Sequence, residues 1–279
     1  MNSTNLDTIK MGKPIDYKKE MLYVIKVGGN IIEDETKLDS FLQSFSGIKE
    51  NKILIHGGGK LATLLAKQLS VNQQLIDGRR ITDTETLKIV TMVYAGYVNK
   101  NIVAQLQSKN CNALGLSGTD GNLIQAHKRK NSNIDYGFVG DIDVVNCLFI
   151  KSLLSNGLSL VIAPISHDNK GQLLNTNADT IAQEIAKAMT KDYEVHLIYS
   201  FEKSGVLLNP EDAKSVIKTI NPTYYKELKD NNIIFDGMIP KLDNAFIALQ
   251  QGVRNVVIGK AECLQQLISG ESGTNIISQ

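Results

Sequence analysis

Short runs of apolar, often β-branched residues alternate with amphipathic segments along most of the chain. The runs predict buried strands, and the five clearest are MLYVIKV (21–27), ILIH (53–56), SLVIAPI (159–165), EVHLIYS (194–200) and VRNVVIG (253–259). Between them, LATLLAKQL, TIAQEIAKAM and KLDNAFIALQQG carry apolar residues at the i, i+3, i+4, i+7 spacing of helices with one buried face. This alternation predicts an α/β fold, a three-layer sandwich in which helices cover both faces of a mainly parallel central sheet.

The stretch 112–146 interrupts this alternation with short runs separated by glycine and asparagine, which predicts hairpins that project from the sheet. The basic run HKRK (127–130) and the NSN that follows it are expected to form a solvated hairpin tip rather than a binding patch. After a short leader (1–20), residues 21–279 are expected to form one continuous domain. Its two lobes, about 21–170 and 171–279, are expected to meet near residue 170.

Composition excludes several classes of protein. The 279 residues are 42% hydrophobic with a formal net charge of +1, which is typical of a folded domain and gives no electrostatic reason to bind nucleic acid or a membrane surface. The N-terminal residues contain no apolar signal-peptide core, so a cytoplasmic location is expected. The three widely spaced cysteines predict reduced thiols rather than a disulfide or a zinc site. The expected partners are small molecules and copies of the same chain.

Two of the predicted strands end in glycine clusters, KVGGN (26–30) and HGGGK (56–60). The second is not a P-loop, because Leu61 stands where that motif needs a serine or threonine and the glycine spacing is too short. A strand, a glycine turn and a helix N-terminus can still hold an anion. Since parallel strands end at one edge of a sheet, the two loops are expected to share a site, for one phosphate chain or for a phosphate and a second substrate.

Charged residues flank the predicted site. Lys26 lies at the end of the first strand, just before its glycines. GQLLNTNAD places Asn175, Asn177 and Asp179 at a helix start, and three such residues are more than helix capping requires. FDGMIPK places Lys241 at the start of a later helix, where a lysine is unfavourable against the helix dipole and a functional reason is expected.

Six segments occur in the order seen in acetylglutamate kinases, and the chain resembles that group of the amino-acid-kinase family over about residues 21–279. The segments are KVGG, HGGGK, DGRRITD (77–83), ALGLSGTDGNLI (113–124), GQLLNTNAD (171–179) and GMIPK (237–241). The resemblance implies that ATP phosphorylates the side-chain carboxylate of N-acetyl-L-glutamate, the second step of arginine biosynthesis. Carbamate kinase, uridylate kinase and aspartokinase share the fold, but DGRRITD and GQLLNTNAD favour an acylglutamate. A non-catalytic module that binds a nucleotide or an amino acid is the alternative of another class.

The resemblance also assigns roles to individual residues. Its catalytic residues are Lys26 and Lys241, on phosphate oxygens, with Asp179 between them. Backbone N–H groups of the two loops are expected to bind the transferred phosphate, and they belong to Gly28, Gly29, Gly58 and Gly59. The acylglutamate is expected to bind Gly57, Gly58, Arg80 and Asn175. No acidic cluster resembles a magnesium cage, so no protein metal site is expected and Mg²⁺ should arrive with ATP.

The sequence departs from the family pattern at three places. Arg79 replaces the leucine usual before the substrate-binding arginine, so Arg79 is either solvent-exposed or pairs with a carboxylate on a larger acyl group, such as N-succinyl-L-glutamate. The segment YSFEKSGVLL (199–208) lacks the usual Thr/Ser-Asp-Val run, which leaves the adenine contacts open. The leader is short and interrupted by Gly12 and Pro14, so a homodimer joined through the N-terminal lobe, not inhibited by arginine, is expected.

Overall fold

The computed structural model of the protein describes residues 19–76, 79–130, 134–234 and 238–279. Most of the predicted leader lies outside these residues. The strands are β1 (Met21–Val27), β2 (Asn51–His56), β3 (Leu75–Ile76), β4 (Arg79–Arg80), β5 (Ala113–Ser117), β6 (Ile124–Lys128), β7 (Gly140–Val145), β8 (Ser159–Ala163), β9 (Ile165–His167), β10 (Leu173–Asn175), β11 (Glu194–Phe201), β12 (Thr219–Ile220), β13 (Asn255–Lys260) and β14 (Thr274–Ile276).

Helices connect most of these strands. They are α1 (Gly29–Ile32), α2 (Glu35–Ser46), α3 (Gly59–Gln68), α4 (Thr84–Thr91), α5 (Asn99–Ser108), α6 (Cys147–Ser155), α7 (Ala178–Met189), α8 (Pro222–Asp230), α9 (Ile239–Gln250) and α10 (Leu264–Ser269). A π-helical segment, Met92–Val98, joins α4 to α5 without a break, and short 3₁₀ turns lie at Asp120–Asn122 and Ala261–Cys263. None of the helices in the described residues is long and apolar enough to cross a bilayer.

The central sheet has eight strands in the order β12-β14-β13-β11-β1-β2-β8-β5. All neighbouring pairs are parallel except β13 and β14. A second sheet, β10-β9-β6-β7, and the small pair β3-β4 lie outside it. Each of the five predicted strands overlaps a strand of the structure and each of the three predicted helices overlaps a helix, with ends that differ by a few residues.

Successive side chains of β1 point alternately into two separate layers of the hydrophobic core. Leu22 and Val24 belong to one buried cluster, with apolar residues of α6, α7, α8 and α9. Tyr23, Ile25 and Val27 belong to the other, with residues of α1 to α5 and α10. Since successive side chains of a strand point to opposite faces, helices cover both faces of the sheet. The predicted three-layer α/β sandwich is confirmed.

Two details of the predicted strands are wrong. The run 159–165 is two strands, β8 and β9, because Pro164 between them has no N–H to donate to a sheet ladder. The segment ALGLS does not project as part of a hairpin; it is β5, an edge strand of the main sheet parallel to β8. β6 and β7 do pair antiparallel, as predicted for the rest of that stretch.

Candidate active site

Three charged residues from distant parts of the chain meet at one end of the central sheet. Lys26 has the same parity along β1 as Leu22 and Val24, so it lies on the face covered by α7 and α9. Its Nζ is 2.8 Å from Asp179 Oδ1, and Lys241 Nζ pairs with Asp179 Oδ2. Asp179 follows the α7 N-cap, Asn177, whose side chain accepts from the N–H groups of Asp179 and Thr180. The structure thus brings together the three residues predicted to be catalytic.

The charges of this cluster are strongly coupled. Burial alone would raise the pKa of Asp179, but the ammonium groups of Lys26 and Lys241 outweigh burial and hold the pKa well below its usual range. Burial also lowers the pKa of Lys241, which Asp179 opposes. The cluster combines two ammonium groups with one carboxylate. One positive charge remains for an anionic ligand.

The two glycine loops are neighbours in space, as predicted. A Cβ atom added at Gly57 would lie 4.0 Å from the backbone nitrogen of Gly29. The N–H of Gly28 is already donated to the carbonyl of Ser200, at 2.9 Å. Among the residues predicted to bind phosphate, Gly28 therefore offers close approach of its backbone rather than an unused donor.

A cavity of about 360 Å³ opens beside the second glycine loop. Its lining combines that loop, the β4 arginines and the start of α7: Gly57, Gly58, Gly59, Lys60, Thr63, Leu75, Arg79, Arg80, Tyr94, Arg129, Val139, Pro164, Asn175, Thr176, Asn177 and Ala178. Four of these residues are cationic and none is acidic. The lining favours an anionic ligand over a neutral or cationic one.

Arg80 and Asn175 both line this cavity, as the predicted substrate contacts should. Arg80 Nη2 donates to the carbonyl of Gly59, at 2.8 Å, and to Thr63 Oγ1, at 2.9 Å. Its Nη1 donates to Gln73. In the described part of the chain, no carboxylate forms a salt bridge with Arg80, so its charge is available to a ligand. Asn175 donates to Thr82 Oγ1, at 3.0 Å, which fixes its amide.

Arg129 corrects the prediction that HKRK is wholly a solvated tip. His127, Lys128 and Lys130 are not buried, but the Arg129 side chain is only 16% exposed and Nε donates to Asp141 Oδ1 at 2.9 Å. Arg129 and Arg79 line the same cavity, although Arg79 is exposed to solvent. Residues 131–133 of the predicted tip lie outside the described residues, as do Asp77, Gly78 and Gly237 of the family motifs.

Tyr94 is a second residue of the cavity that the sequence did not point to. It is buried in the π-helical segment Met92–Val98, where the regular i, i+4 spacing is lost and an apolar face cannot be read from the sequence. Its ring lies against the second glycine loop, and a Cβ added at Gly58 would come within 2.9 Å of Tyr94 Cδ1. Gly58 also has φ +154°, so both its backbone and its neighbour require glycine.

Within the described residues, no group of three or more His, Cys, Asp or Glu side chains is arranged to hold a metal ion. Glycine loops follow the parallel strands β1 and β2, and they lie beside lysine side chains and a cavity lined by cations. This arrangement is typical of α/β folds that bind a phosphate or another anionic ligand. A sequence model of the amino acid kinase family matches residues 21–260, and the chain belongs to that family.

Several known proteins of similar sequence are named acetylglutamate kinase. The chain is 54% identical to an acetylglutamate kinase of Cytophaga hutchinsonii over 262 residues, which cover 93% of this chain and 99% of that protein. It is 52% identical to an acetylglutamate kinase of Phocaeicola vulgatus, over 89% of this chain and 96% of that protein. These relatives confirm the resemblance seen in the sequence.

Solved structures show the same fold at low sequence identity. An N-acetylglutamate synthase of Neisseria gonorrhoeae, solved with coenzyme A and N-acetyl-glutamate, superposes with a TM-score of 0.79 and 21% identity, over 94% of this chain and 60% of that chain. A Giardia carbamate kinase superposes with a TM-score of 0.66 and 13% identity, over 95% of this chain and all of that one. At these identities the likeness concerns the fold alone.

Proposed function

We propose that this protein is a kinase that uses ATP to phosphorylate the side-chain carboxylate of N-acetyl-L-glutamate, giving an acyl phosphate for arginine biosynthesis. The relatives named acetylglutamate kinase support this reaction. The observation that carries it is the cavity lined by cations but no acids, which opens at the start of α7 beside the Lys26–Asp179–Lys241 cluster. A dicarboxylate in this cavity would face the group that is to be transferred.

The reaction needs charge stabilisation rather than a base. A glutamate side chain has an ordinary pKa of about 4.3, so it is already ionised at neutral pH. One of its oxygens attacks the γ-phosphorus of ATP, a new P–O bond forms, and the bond to the ADP oxygen breaks. Charge on the phosphoryl oxygens is the barrier, and cations and N–H donors around them lower it.

Different residues of the site are proposed to bind the phosphoryl group and the acylglutamate. Lys26 and Lys241 contact the phosphoryl oxygens, and Asp179 holds their ammonium groups in place. N–H groups of Gly29, Gly58 and Gly59 supply further donors. Arg80 binds the α-carboxylate of the substrate, since its planar fork can donate two parallel hydrogen bonds, and Gly57 and Asn175 contact the same end.

ATP extends from this point over the C-terminal lobe. A second, mostly apolar cavity of about 210 Å³ lies there, lined by Lys203, Gly205, Val206, Leu207, Pro210, Ile233, Ile234 and Met238. It includes four residues of the segment 199–208 that departs from the family pattern, and we assign it to the adenine. Both oxygens of Asp179 are engaged by lysines, so Mg²⁺ enters with ATP as part of the substrate.

Trapping the product with hydroxylamine tests this function, because hydroxylamine displaces phosphate from an acyl phosphate and gives a hydroxamate, which is detected as its coloured Fe(III) complex. We expect hydroxamate that depends on ATP, Mg²⁺ and N-acetyl-L-glutamate together. Glutamate without an acyl group serves as the control substrate. Calorimetric binding of ATP without hydroxamate from any acylglutamate would instead support the non-catalytic binding module.

A second candidate substrate is N-succinyl-L-glutamate, which carries a third carboxylate. The observation that favours it is the excess of cations: Arg79 and Arg129 line the cavity in addition to Arg80. A charge-assisted hydrogen bond to the distal carboxylate is worth about 1.5 to 3 kcal/mol, or roughly tenfold or more in discrimination. Arg129 is already paired with Asp141, so Arg79 is the better donor.

The ratio of kcat/KM for the succinyl and acetyl substrates decides between them. If Arg79 binds the distal carboxylate of the succinyl group, we expect Arg79→Leu to lower this ratio by about tenfold. Arg254→Leu, at an exposed arginine outside the cavity, is the matched control. An unchanged ratio in Arg79→Leu would show that Arg79 is a solvent-exposed side chain with no role in acyl selection.

A further inference from the structure

His56, the last residue of β2, is completely buried directly beneath the second glycine loop. Its Nδ1 is 2.8 Å from the carbonyl oxygen of Gly57, and its Nε2 is 3.1 Å from Nδ2 of Asn99. Asn99 begins α5, immediately after the π-helical segment that carries Tyr94. His56 therefore contacts the loop from below, Asn99 holds the His56 ring, and Tyr94 of the same continuous helical stretch packs against Gly58.

The partners of this network determine which imidazole nitrogen carries the proton. Asn99 Nδ2 also donates to the carbonyl of Val161, at 3.0 Å, while Asn99 Oδ1 accepts from Lys100 Nζ, at 3.1 Å. The amide nitrogen of Asn99 thus faces His56, so Nε2 must accept. Nδ1 must then carry the hydrogen and donate it to Gly57, because a carbonyl only accepts. The opposite tautomer would set two donors against each other at Asn99 and two acceptors at Gly57.

The imidazole is also held neutral. Burial lowers the pKa of His56 to about 4, the hydrogen bond to Gly57 opposes this, and the nearby Lys100 ammonium lowers the pKa further. A neutral ring with a fixed tautomer is a rigid support for the peptide that it contacts.

The contact between His56 and the Gly57 carbonyl also fixes the direction of the next backbone N–H group, that of Gly58. No peptide bond in the described residues is cis, and in a trans peptide the C=O of one residue and the N–H of the next point in opposite directions. The carbonyl of Gly57 points down to the buried ring, so the N–H of Gly58 points away from it. Gly58 lines the cavity, and its N–H donates to no acceptor among the described residues.

We propose that His56 is a positioning residue, whose Nδ1–H grips the Gly57 carbonyl and thereby aims the Gly58 N–H at the phosphoryl group or carboxylate bound in the cavity. This inference rests on the proposed function. His56 does not touch the substrate itself. Tyr94, packed on the Cα of Gly58, restrains the same peptide from the side.

Two variants separate the two hydrogen bonds of the ring. In His56→Asn the amide nitrogen is attached at the same position as Nδ1, so it can still donate to Gly57 but not reach Asn99. In His56→Gln the amide lies where Nε2 was, so it can bond Asn99 but not Gly57. Both variants lose the ring and one hydrogen bond, and their stabilities should fall alike.

We expect His56→Gln to lower kcat by at least about tenfold, because removal of a whole oriented donor typically costs ~10² to 10³. His56→Asn should keep kcat several times higher than His56→Gln, and KM for ATP should change little in either, since most of the nucleotide is proposed to bind the other lobe. Equal kcat values in the two variants, or wild-type kcat in His56→Gln, would overturn the proposal.

The tautomer can be measured on the wild-type protein without substrate or turnover. In ¹⁵N NMR spectra at pH 7, protonated and unprotonated imidazole nitrogens differ widely in shift, and the signals of the other histidines, His127, His167 and His196, are identified by substituting each. We expect a neutral Nδ1–H ring for His56. An Nε2–H ring would overturn the positioning role even if both variants failed to fold. Failure of the kinase assay with a confirmed Nδ1–H ring would contradict the proposed function and not the network.

Discussion

At the scale of single residues, the site depends on one carboxylate shared by two ammonium groups. Lys26 and Lys241 are both held by Asp179, and each is proposed to act on the transferring phosphoryl group. We expect Lys26→Ala and Lys241→Ala each to lower kcat by ~10² to 10³, the usual cost of one oriented donor in a transition state. Circular dichroism should show folded variants, and Lys151→Ala, an exposed lysine on α6, is the control. Near-normal kcat in either variant would remove that lysine from the mechanism.

Asp179 is expected to be important for stability as well as rate. Its depressed pKa means that its ion pairs stabilise the fold above the ordinary carboxyl range, and that this contribution is lost as pH falls through the folded-state pKa. Asp179→Asn keeps the shape but leaves two largely buried ammonium groups unpaired, which typically costs about 3 to 5 kcal/mol. The deficit should be largest near pH 7 and should narrow on strong acidification. Urea unfolding of both proteins across this range measures it.

His56 predicts a different pH dependence. Its folded-state pKa is lowered to about 4 from an ordinary 6.5, so between these values the unfolded state binds the proton and the folded state does not. Stability should therefore fall as pH drops below 6.5. By pH 5 the wild-type protein should have lost about 2 kcal/mol through His56, and His56→Asn should not. The stability difference between the two proteins should accordingly shrink from pH 7 to pH 5, and a constant difference would mean that His56 titrates normally.

At the scale of elements, the turn from β2 to α3 combines a backbone requirement with a packing requirement. In Gly58→Ala the new methyl group is strained by the positive φ and clashes with the Tyr94 ring. In Gly157→Ala the positive φ of +73° is the only source of strain, because the space around the new methyl group is open. We expect Gly58→Ala to destabilise the protein by about 1 to 3 kcal/mol more than Gly157→Ala, the range for overpacking. Thermal unfolding of the two variants measures this, and equal losses would indicate that the Tyr94 ring moves aside.

The elements that the sequence predicted well are those whose periodicity is undisturbed. β1, α7 and α9 follow regular two- or 3.6-residue patterns, and they carry Lys26, Asp179 and Lys241. Their convergence follows from strand alternation and from helices that pack on the same face. Arg129 could not be predicted because its partner, Asp141, lies on the other strand of a hairpin whose register the sequence leaves open. Tyr94 was missed because a π-helical stretch shifts which residues share a face.

At the scale of the whole molecule, the central sheet joins the two predicted lobes without a break. β1 pairs with β2 on one side and with β11 on the other, so the strand that carries Lys26 lies between the two halves. The cavity lined by cations lies on the N-terminal side and the proposed adenine cavity on the C-terminal side. A phosphoryl group passed between substrates in these cavities would cross the end of β1, where Lys26 and its glycine loop lie.

We expect two copies of the chain to assemble through the exposed face of the π-helical segment Met92–Val98. The π-helical segment that supports the glycine loop with Tyr94 turns Met92 and Tyr97 outward, 54% and 67% exposed. These side chains fit the homodimer interface proposed for the N-terminal lobe, since a second copy covering them would remove apolar surface from water. We expect light scattering to give twice the chain mass of 30.6 kDa for the wild-type protein and the single mass for Tyr97→Glu, because a buried, unpaired carboxylate is costly.

Leu148→Glu is the matched control, because Leu148 is 80% exposed on a different helix, α6. It should leave the dimer intact. Dissociation by Leu148→Glu but not by Tyr97→Glu would move the interface to α6, and a monomeric wild-type protein would refute the homodimer. If the interface does include Met92–Val98, the monomeric variant should also lose kcat. The same segment packs against the second glycine loop through Tyr94 and leads directly into Asn99, which holds His56, so loosening its outer face would loosen the loop that faces the substrate.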